Sequence, residues 1–360
     1  MQDQHLSKGA RVVVAMSGGV DSSVVAALFH EAGFETIGIT LQLYDHSTAS
    51  GRKGACCAGQ DIHDARDVCE RLGIPHYVLD MEERFKKAVI EDFAANYGAG
   101  RTPVPCIRCN QTVKFTDLLG VARDLGAEAL ATGHYVRRVQ RGDLAEMHRA
   151  RDRAKDQSYF LFATTREQLA FSRFPLGDLE KQETRAHAER LALPVARKPE
   201  SQDICFVPQG HYSTIVGRLH PEALAEGEIV DVDGTVIGRH KGVGNYTVGQ
   251  RRGLQLSTGE RLYVTAIDPG RHRITVGPRE ATLRTGAELR DINLLAEVDG
   301  KVEAMVKHRY NEPAVAARFD PAHGTVDFVE PQGSIARGQA CVAYDGERVL
   351  GGGWIEAALG

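Results

Sequence analysis

The sequence predicts an α/β protein with a doubly wound parallel sheet, followed by a small central domain and a C-terminal β-barrel. Up to Tyr135, apolar runs alternate with helical segments, as in βαβ units that build a parallel sheet. After Gly227, turn signals separate short alternating runs, which is typical of antiparallel strands. The 360 residues also exceed the usual size of one hydrophobic core. We therefore expect several domains.

The hydrophobic pattern predicts the elements of the first domain in order. Strands are expected at Val12–Met16, Thr36–Leu41, His76–Leu79 and Ala129–Thr132. Helices are expected at Ser22–Ala32, Asp61–Leu72, Glu82–Tyr97 and Thr112–Leu125. Glycines after three of these helices favour helix termination there.

Beyond Arg137 the pattern changes to a charged hairpin, two helices and then strands. The helices are expected near Arg166–Ala170 and Lys181–Leu191, and the strands include Glu228–Val232 and Arg273–Val276. From about Leu283 onwards, short strands with little helix indicate a small barrel or sandwich. The predicted domains are residues 1–210, 211–280 and 281–360.

Composition indicates a cytoplasmic globular protein. Apolar residues make up 42% and charged residues 26%, and no run approaches the ~18 apolar residues of a membrane span. The polar segment Met1–Arg11 contains no apolar signal core. Seven cysteines lack disulfide-framework spacing, so we interpret them as buried, metal-binding or catalytic thiols.

Overall charge does not favour nucleic-acid binding, because the net charge is −4. Local basic clusters matter more than the total. The basic residues that cluster are Arg137, Arg138, Arg141, Arg149, Arg151, Arg153 and Lys155, and later Arg239, His240, Lys241, Arg251 and Arg252. Each cluster is either a basic surface or a solvated hairpin face.

The string Ser17–Ser23 follows the first strand and opens a helix at about Asp21. Two glycines let the backbone approach an anion closely, and helix N–H groups suit a phosphate. The loop lacks the lysine of G-x-x-x-x-G-K-[ST], which favours holding and releasing pyrophosphate. The alternative is an ordinary strand–turn–helix corner with Asp21 as the N-cap.

Two separated cysteines suggest sulfur chemistry. Cys109 lies near the end of the predicted loop Gly100–Asn110, close to a helix N-terminus and basic neighbours, and such surroundings favour a thiolate. Cys205 lies in a predicted loop-to-strand segment. The alternative for Cys205 is a small buried hydrophobe. Cys69 and Cys341 are expected in the core.

Several motifs in order give the chain a family resemblance. They are Ser17–Ser23, Gly100–Asn110, Ala131–Tyr135, Lys155–Phe160, Asp203–Phe206 and Gly249–Leu254. Together they resemble the tRNA-specific 2-thiouridylases of the PP-loop ATP pyrophosphatase superfamily. The likeness runs from Val12 to Gly353 and so covers nearly the whole chain. It implies a monomer that modifies tRNA.

The resemblance implies adenylation of the C2 oxygen of an anticodon wobble uridine, with ATP and Mg²⁺ as cofactors and no resident metal site. A donor or relay protein would load Cys205 with a persulfide. Cys109 would attack it and leave a Cys109–Cys205 disulfide. Both thiols are expected beside the α-phosphorus of the adenylate.

The resemblance also assigns binding residues. The nucleotide site would comprise Ala15, Met16, Ser17, Gly18, Gly19, Val20, Asp21, Ser22, Leu41 and Gly133. The tRNA contacts would comprise Val104, Pro105, Cys106, His134, Lys155, Asp156, Gln157, Arg309, Tyr310 and Gln339. Of these, Val104–Cys106 would lie next to the target base.

Cys106 departs from the family pattern, because many relatives carry Asp there. Alignment on Cys-Asn favours Cys109 as the nucleophile. The extra thiol allows a second interpretation, an iron–sulfur cluster held by Cys106, Cys109 and Cys205. Two further alternatives are an amidotransferase-type ATP pyrophosphatase acting on a small metabolite, and an RNA-binding protein whose nucleotide site is only a sensor.

Overall fold

The computed structural model describes residues 6–44, 57–200, 204–207, 212–256 and 260–360. Position 203 of the predicted motif Asp203–Phe206 lies outside these ranges. The chain divides into two compact units. Unit 1 comprises Met1–Ala88, Ile107–Asp203 and Glu347–Val349, and unit 2 comprises Val89–Cys106, Ile204–Gly346 and Leu350–Gly360.

The described strands number from β1 to β17. Those of the first half are β1 (Arg11–Ala15), β2 (Glu35–Gln42), β3 (His76–Asp80), β4 (Ala129–Ala131), β5 (Val136–Arg141), β6 (Leu144–Arg149) and β7 (Ser172–Arg173). Those of the second half are β8 (Gly227–Val230), β9 (Val236–His240), β10 (Tyr263–Asp268), β11 (Arg273–Gly277), β12 (Arg284–Leu294), β13 (Val302–Lys307), β14 (Val315–Asp320), β15 (Thr325–Gln332), β16 (Ala340–Asp345) and β17 (Arg348–Leu359).

The described α-helices number from α1 to α10. They are α1 (Val20–Glu31), α2 (Cys57–Leu72), α3 (Glu82–Phe85), α4 (Glu91–Gly98), α5 (Pro105–Cys109), α6 (Leu119–Asp124), α7 (Ser158–Leu161), α8 (Arg166–Phe171), α9 (Lys181–Arg190) and α10 (Ser213–Leu219). Two π-helical segments, Lys86–Ile90 and Asn110–Leu118, connect consecutive helices. Short 3₁₀ turns occur at Pro221–Leu224, Val243–Asn245 and Arg279–Thr282.

The sheet of unit 1 confirms the predicted parallel fold. Its strand order is β3-β2-β1-β4-β7, and every pair in it is parallel. Val12 and Val14 face one side and Val13 the other, yet all three are fully buried. Burial on both faces is what a helix-covered parallel sheet requires. Helices α1, α2 and α9 contribute to the core that contains Val12 and Val14.

The cysteine segment differs from its prediction. Gly100–Asn110 was expected to be a loop, but helix begins at Pro105. Proline is well suited to the first helical position, because its fixed φ fits and its missing N–H is not needed there. Cys106 and Cys109 therefore lie three residues apart on helical backbone. The helix that was predicted from Thr112 is present, but in the structure helical backbone begins before that residue.

Unit 2 contains a four-stranded sheet and a barrel. The sheet has the order β10-β11-β8-β9, and its core includes Ile229, Leu254, Val264 and Ile274. The barrel strands follow the order β12-β15-β14-β13-β16-β17 and close through pairing of β12 with β17. The predicted C-terminal barrel is thereby confirmed. In the described part of the chain, no helix is both long and apolar enough to cross a bilayer.

His308 follows β13 and is a buried titratable group of the barrel. The residue is 2% exposed, and its ring packs edge-on against Phe328 at 5.6 Å. Burial, with a contribution from Arg309, lowers the pKa of His308 to about 4. The unfolded chain therefore binds a proton between pH 6.5 and 4 that the folded protein does not.

We expect the unfolding free energy to fall as the pH is lowered through this range. The contribution of His308 is roughly 3 kcal/mol and should be absent in His308→Gln. Denaturant unfolding of both proteins at pH 7 and pH 4.5 measures it. An equal difference between the two proteins at both pH values would contradict the expectation.

Candidate functional site

The predicted nucleotide residues lie at one edge of the parallel sheet. Val14 of β1 pairs with Ala131 of β4 in parallel register, so the loops that follow both strands emerge side by side. A Cβ on Gly133 would lie 3.0 Å from the Ser22 nitrogen, so the second loop packs against the first turn of α1. The residues that line this edge are Ala15, Met16, Ser17, Gly18, Gly19, Val20, Asp21, Ser22, Leu41 and Gly133.

Gly18 is required by both conformation and space. Its φ is +70°, a region that side chains disfavour. A Cβ there would lie 2.2 Å from the main-chain oxygen of Asp61. The loop therefore sits directly on α2, and only glycine fits without a backbone shift.

Serine hydroxyls close the loop onto the start of α1. The Ser17 N–H donates to Ser22 Oγ at 3.1 Å, and the Ser17 and Ser22 hydroxyls lie 3.1 Å apart. Ser23 Oγ donates to the Gly19 carbonyl at 2.8 Å. Gly19 is the N-cap and brings no capping side chain. The alternative with Asp21 as N-cap is wrong, because Asp21 lies within the first turn.

Asp21 begins a chain of alternating charges. Lys181 Nζ lies 2.7 Å from Asp21 Oδ1 and 2.8 Å from Glu200 Oε1, and Lys155 Nζ lies 2.7 Å from Glu200 Oε2. The Tyr135 hydroxyl also donates to Asp21 at 3.0 Å. Hydrogen bonds from Lys155 and Lys181 lower the pKa of Glu200 to about 2. Glu200 is therefore ionised at neutral pH and lies between the two lysines.

Lys198 supplies a second lysine to the glycine loop. Its Nζ donates to the Gly18 carbonyl at 3.0 Å and to Asp61 at 2.6 Å, and it also pairs with Asp64. Its pKa is raised, because these two carboxylates outweigh the effect of burial. Lys198 thus ties the loop to α2. The loop motif lacks a lysine, but two lysines distant in sequence reach it.

The segment Lys155–Gln157 combines an exposed cation with internal hydrogen bonds. The Asp156 carboxylate is buried and accepts from Arg149 Nε at 3.0 Å and Ser158 Oγ at 2.9 Å. Gln157 Oε1 accepts from the Tyr135 N–H at 2.9 Å. Asp156 and Gln157 therefore fix the segment, and Lys155 remains partly exposed.

His134 stands beside the nucleotide edge in its neutral form. Its Nδ1 lies 2.8 Å from Thr132 Oγ1, and its ring packs near Phe115 and Phe174. Burial, aided by Lys114, lowers the pKa of His134 well below its usual value. A neutral imidazole can pair with a base edge but cannot neutralise a phosphate.

Hydrogen bonds connect the segments of unit 2 that carry predicted tRNA residues. Gln339 Nε2 donates to the Thr102 carbonyl at 3.0 Å, just before Val104, Pro105 and Cys106. Thr102 Oγ1 donates to Thr247 Oγ1 at 3.3 Å. Arg309 Nη2 donates to the adjoining Val248 carbonyl at 2.7 Å. Tyr310 follows, and its ring lies 5.1 Å from Lys307 Nζ.

The cysteines separate into two exposed and three buried thiols among the described side chains. Cys109 is 7% exposed, whereas Cys106 and Cys205 are exposed. Cys205 lies in a turn closed by the Val207 N–H and the Ile204 carbonyl, not in the predicted loop-to-strand segment. Burial raises the pKa of both Cys69 and Cys341 to about 12. The burial of Cys69 and Cys341 confirms the prediction that both belong to the core.

Metal ligation was the second interpretation of the thiols. Among the described residues, no three His, Cys, Asp or Glu side chains form a group that could hold a metal ion. Nothing in the described structure therefore adds support to the iron–sulfur interpretation.

The first basic cluster is largely neutralised within unit 1. Glu347 pairs with Arg137 at 3.0 Å and also with Arg153. Arg141 pairs with Glu146 at 3.2 Å, and Arg151 with Glu183 at 3.2 Å. These ion pairs make the hairpin β5–β6 less basic than its sequence indicates.

Sequence reasoning missed four side chains at the nucleotide edge. They are Asp61, Lys181, Lys198 and Glu200. None lies in a recognisable motif with the glycine loop. Their separations from it, such as 180 residues between Lys198 and Gly18, leave no local signal.

Three family models match consecutive parts of the chain. The tRNA methyl transferase HUP domain matches residues 10–209, the tRNA methyl transferase PRC-barrel domain matches 215–278, and the aminomethyltransferase beta-barrel domain matches 284–355. These models cover most of the sequence in the order predicted for the domains. The predicted domain boundaries themselves stay a prediction.

Several curated relatives match this chain over nearly its whole length. A tRNA-specific 2-thiouridylase MnmA of Rhizorhabdus wittichii is 60% identical over 98% of this chain and 93% of its own length. The MnmA of Parvibaculum lavamentivorans is 58% identical over 96% of this chain and 90% of its own length. The MnmA of Zymomonas mobilis is 59% identical over 96% of this chain and 93% of its own length. With the glycine loop and both cysteine segments in place, the chain belongs to the tRNA-specific 2-thiouridylase family.

Proposed function

We propose that this protein is an ATP-dependent tRNA-uridine 2-sulfurtransferase that acts on the wobble position of the anticodon. The observation that carries the proposal is the family membership, with near-complete coverage at 60% identity. The printed name of these relatives specifies thiolation at C2 of a tRNA uridine. The amidotransferase alternative leaves the cysteine segments without a role.

The nucleotide edge would activate the base. An oxygen at C2 is a poor leaving group, and transfer of AMP to it makes it a good one. Backbone N–H groups at the start of α1 would hold the phosphates. Mg²⁺ would neutralise charge on the leaving pyrophosphate, and the Asp21 carboxylate in that first turn has the right chemistry to ligate it.

The cysteines would deliver the sulfur. A donor protein loads Cys205 as a persulfide, and the Cys109 thiolate attacks the Cys205 Sγ. The S–S bond of the persulfide breaks, a Cys109–Cys205 disulfide forms, and hydrosulfide leaves. Hydrosulfide then adds to C2 of the adenylated uridine, and AMP departs with the former oxygen. A thiol reductant returns the disulfide to two thiols.

Most of the remaining predicted residues would bind the RNA, and Asp156 and Gln157 would hold Lys155 in place for it. A base extruded from its stack needs hydrogen bonds to its edge and a stacking partner. Tyr310 offers the ring, and Gln339 and neutral His134 offer polar groups. Lys155 and Arg309 offer charge for phosphates. Val104–Cys106 would lie beside the target base.

Lys198 should matter for ATP affinity more than for sulfur transfer. Lys198→Met removes the bond to the Gly18 carbonyl and leaves Asp61 and Asp64 without their shared cation. We expect the KM for ATP to rise about tenfold, the scale of one charge-assisted hydrogen bond. Pyrophosphate release against ATP concentration measures it. Lys86→Met, at an exposed pair with Glu83, should change nothing, and an unchanged KM in Lys198→Met would contradict the role.

Reconstitution tests the function as a whole. Purified protein, ATP, Mg²⁺, a persulfide donor and unmodified tRNA should yield 2-thiouridine, AMP and pyrophosphate, detected by nucleoside mass spectrometry. Omission of ATP or of the donor should abolish the thionucleoside. Pyrophosphate release driven by a small metabolite without tRNA would instead support the amidotransferase alternative.

A further inference from the structure

The motif Gly249–Leu254 has no role in the proposed reaction, yet its conformation is closely specified. Gly249 has φ +86° and Gly253 φ +83°. A Cβ on Gly249 would lie 2.0 Å from Ser334 Oγ. Leu254 is buried in the core of the four-stranded sheet. The turn is therefore anchored at both ends within unit 2.

Gln250 fixes the turn from inside. Its Oε1 accepts from the Thr247 N–H at 3.0 Å, and its Nε2 donates to the Arg252 carbonyl at 2.9 Å. The main chain adds bonds from the Gly249 N–H to the Val264 carbonyl at 2.7 Å and from the Val264 N–H to the Gln250 carbonyl at 2.9 Å. The Gln250 side chain and the main-chain hydrogen bonds together hold the turn in one conformation.

This fixed turn exposes two adjacent arginines. Arg251 and Arg252 are both exposed, and within the described ranges no carboxylate pairs with either guanidinium. The arginines of the hairpin β5–β6 differ, because Arg137, Arg141 and Arg149 each pair with a carboxylate. A rigid pair of uncompensated guanidinium groups is suited to bind anions, and phosphate matches their donor geometry well.

The turn is continuous with the residues proposed to contact tRNA. Thr247 and Val248 immediately precede it. Thr247 accepts from Thr102, whose carbonyl binds Gln339, and the Val248 carbonyl accepts from Arg309. The arginine pair therefore stands on the same framework that holds Arg309 and Gln339. This continuity favours an RNA ligand over an acidic protein.

We propose that Arg251 and Arg252 form a binding site for the phosphodiester backbone of the tRNA substrate, beside the segment Val104–Cys106. The inference rests on the proposed function. The site would recognise the negative charge of the phosphates and not the base sequence, because phosphates are common to all tRNAs. It holds the RNA in register while other residues contact the target uridine.

The test compares two double variants of equal charge change. Arg251→Gln/Arg252→Gln should raise the KM for tRNA about tenfold and leave kcat at saturating tRNA unchanged. The slope of log Kd for tRNA against log salt should fall by about 1.4, as expected for two lost phosphate contacts to single-stranded RNA. Melting temperatures should match the wild type, because both side chains are exposed.

Arg239→Gln/Arg271→Gln is the matched control. Arg239 lies in β9 and Arg271 in the turn between β10 and β11. Both are exposed in unit 2, but they lie near Glu226 and Asp268. The control should keep the wild-type slope and KM. An equal loss in both double variants, or no loss in Arg251→Gln/Arg252→Gln, would overturn the proposal. Intact tRNA binding with impaired sulfur loading by the donor protein would also overturn it, in favour of an acidic protein partner.

Failure of this inference is distinguishable from failure of the proposed function. If wild-type protein forms no 2-thiouridine on reconstitution, the function fails whatever the variants do. If wild-type protein thiolates tRNA and the arginine variant binds tRNA normally, only the phosphate site fails.

Discussion

Cys109→Ser and Cys205→Ser proteins are expected to bind ATP as the wild type does and to lose 2-thiouridine formation by about 10³-fold or more. A serine hydroxyl can neither carry a persulfide nor ionise near neutral pH to attack one. Nucleotide binding should persist, because the Ser17–Ser22 loop and its hydrogen bonds contain neither thiol. Nucleoside mass spectrometry and ATP titration give the two readouts.

Cys106→Ser is the matched control for this experiment. Cys106 is exposed and lies three residues before Cys109, and the proposed mechanism assigns the attack on the persulfide to Cys109. We expect Cys106→Ser to keep the kcat for thiolation at saturating tRNA and to change only the KM for tRNA, because Cys106 is among the predicted tRNA contacts. Robust thiolation by both Cys109→Ser and Cys205→Ser would exclude the two-cysteine mechanism. Loss in Cys106→Ser together with bound iron would favour the cluster interpretation.

Gly18→Ala should weaken ATP binding by about a hundredfold, the scale of one or two lost charge-assisted hydrogen bonds between backbone N–H groups and phosphate. The new Cβ would meet the Asp61 carbonyl at 2.2 Å, which is a backbone atom of α2 and cannot rotate away. The loop must shift, and the first-turn N–H groups of α1 shift with it. Isothermal titration with ATP measures the effect directly.

Gly33→Ala separates the contact from backbone strain. Gly33 also has positive φ, at +82°, but a Cβ there meets nothing within 4 Å. Both variants carry the cost of a left-handed alanine, about 1 kcal/mol, and only Gly18→Ala has the clash. Equal ATP affinity in the two variants would show that the close approach to Asp61 has no functional effect.

Local sequence patterns were sufficient for most of the fold. The apolar run of β1 is fully buried from Val12 to Val14, and the alternation of strands and helices predicted the parallel sheet. The start of α5 was missed because the glycine and prolines of Gly100–Pro105 indicate a loop, whereas Pro105 itself begins a helix. The turn that contains Cys205 was predicted to lead into a strand, because a short apolar run does not distinguish a strand from a turn.

The sequence by itself determined the glycine loop, the order of the motifs and the family. These are local properties, because glycine conformation, hydrophobic period and motif spacing act within a few residues. Only the tertiary structure decided which charges serve the loop. Lys181 and Lys198 reach Asp21 and Gly18 across 160 and 180 residues, and ion pairs neutralise a hairpin whose sequence looks basic. Such partners depend on three-dimensional packing, because hydrogen bonds and ion pairs form between groups that lie within about 4 Å of each other, whatever their separation along the chain.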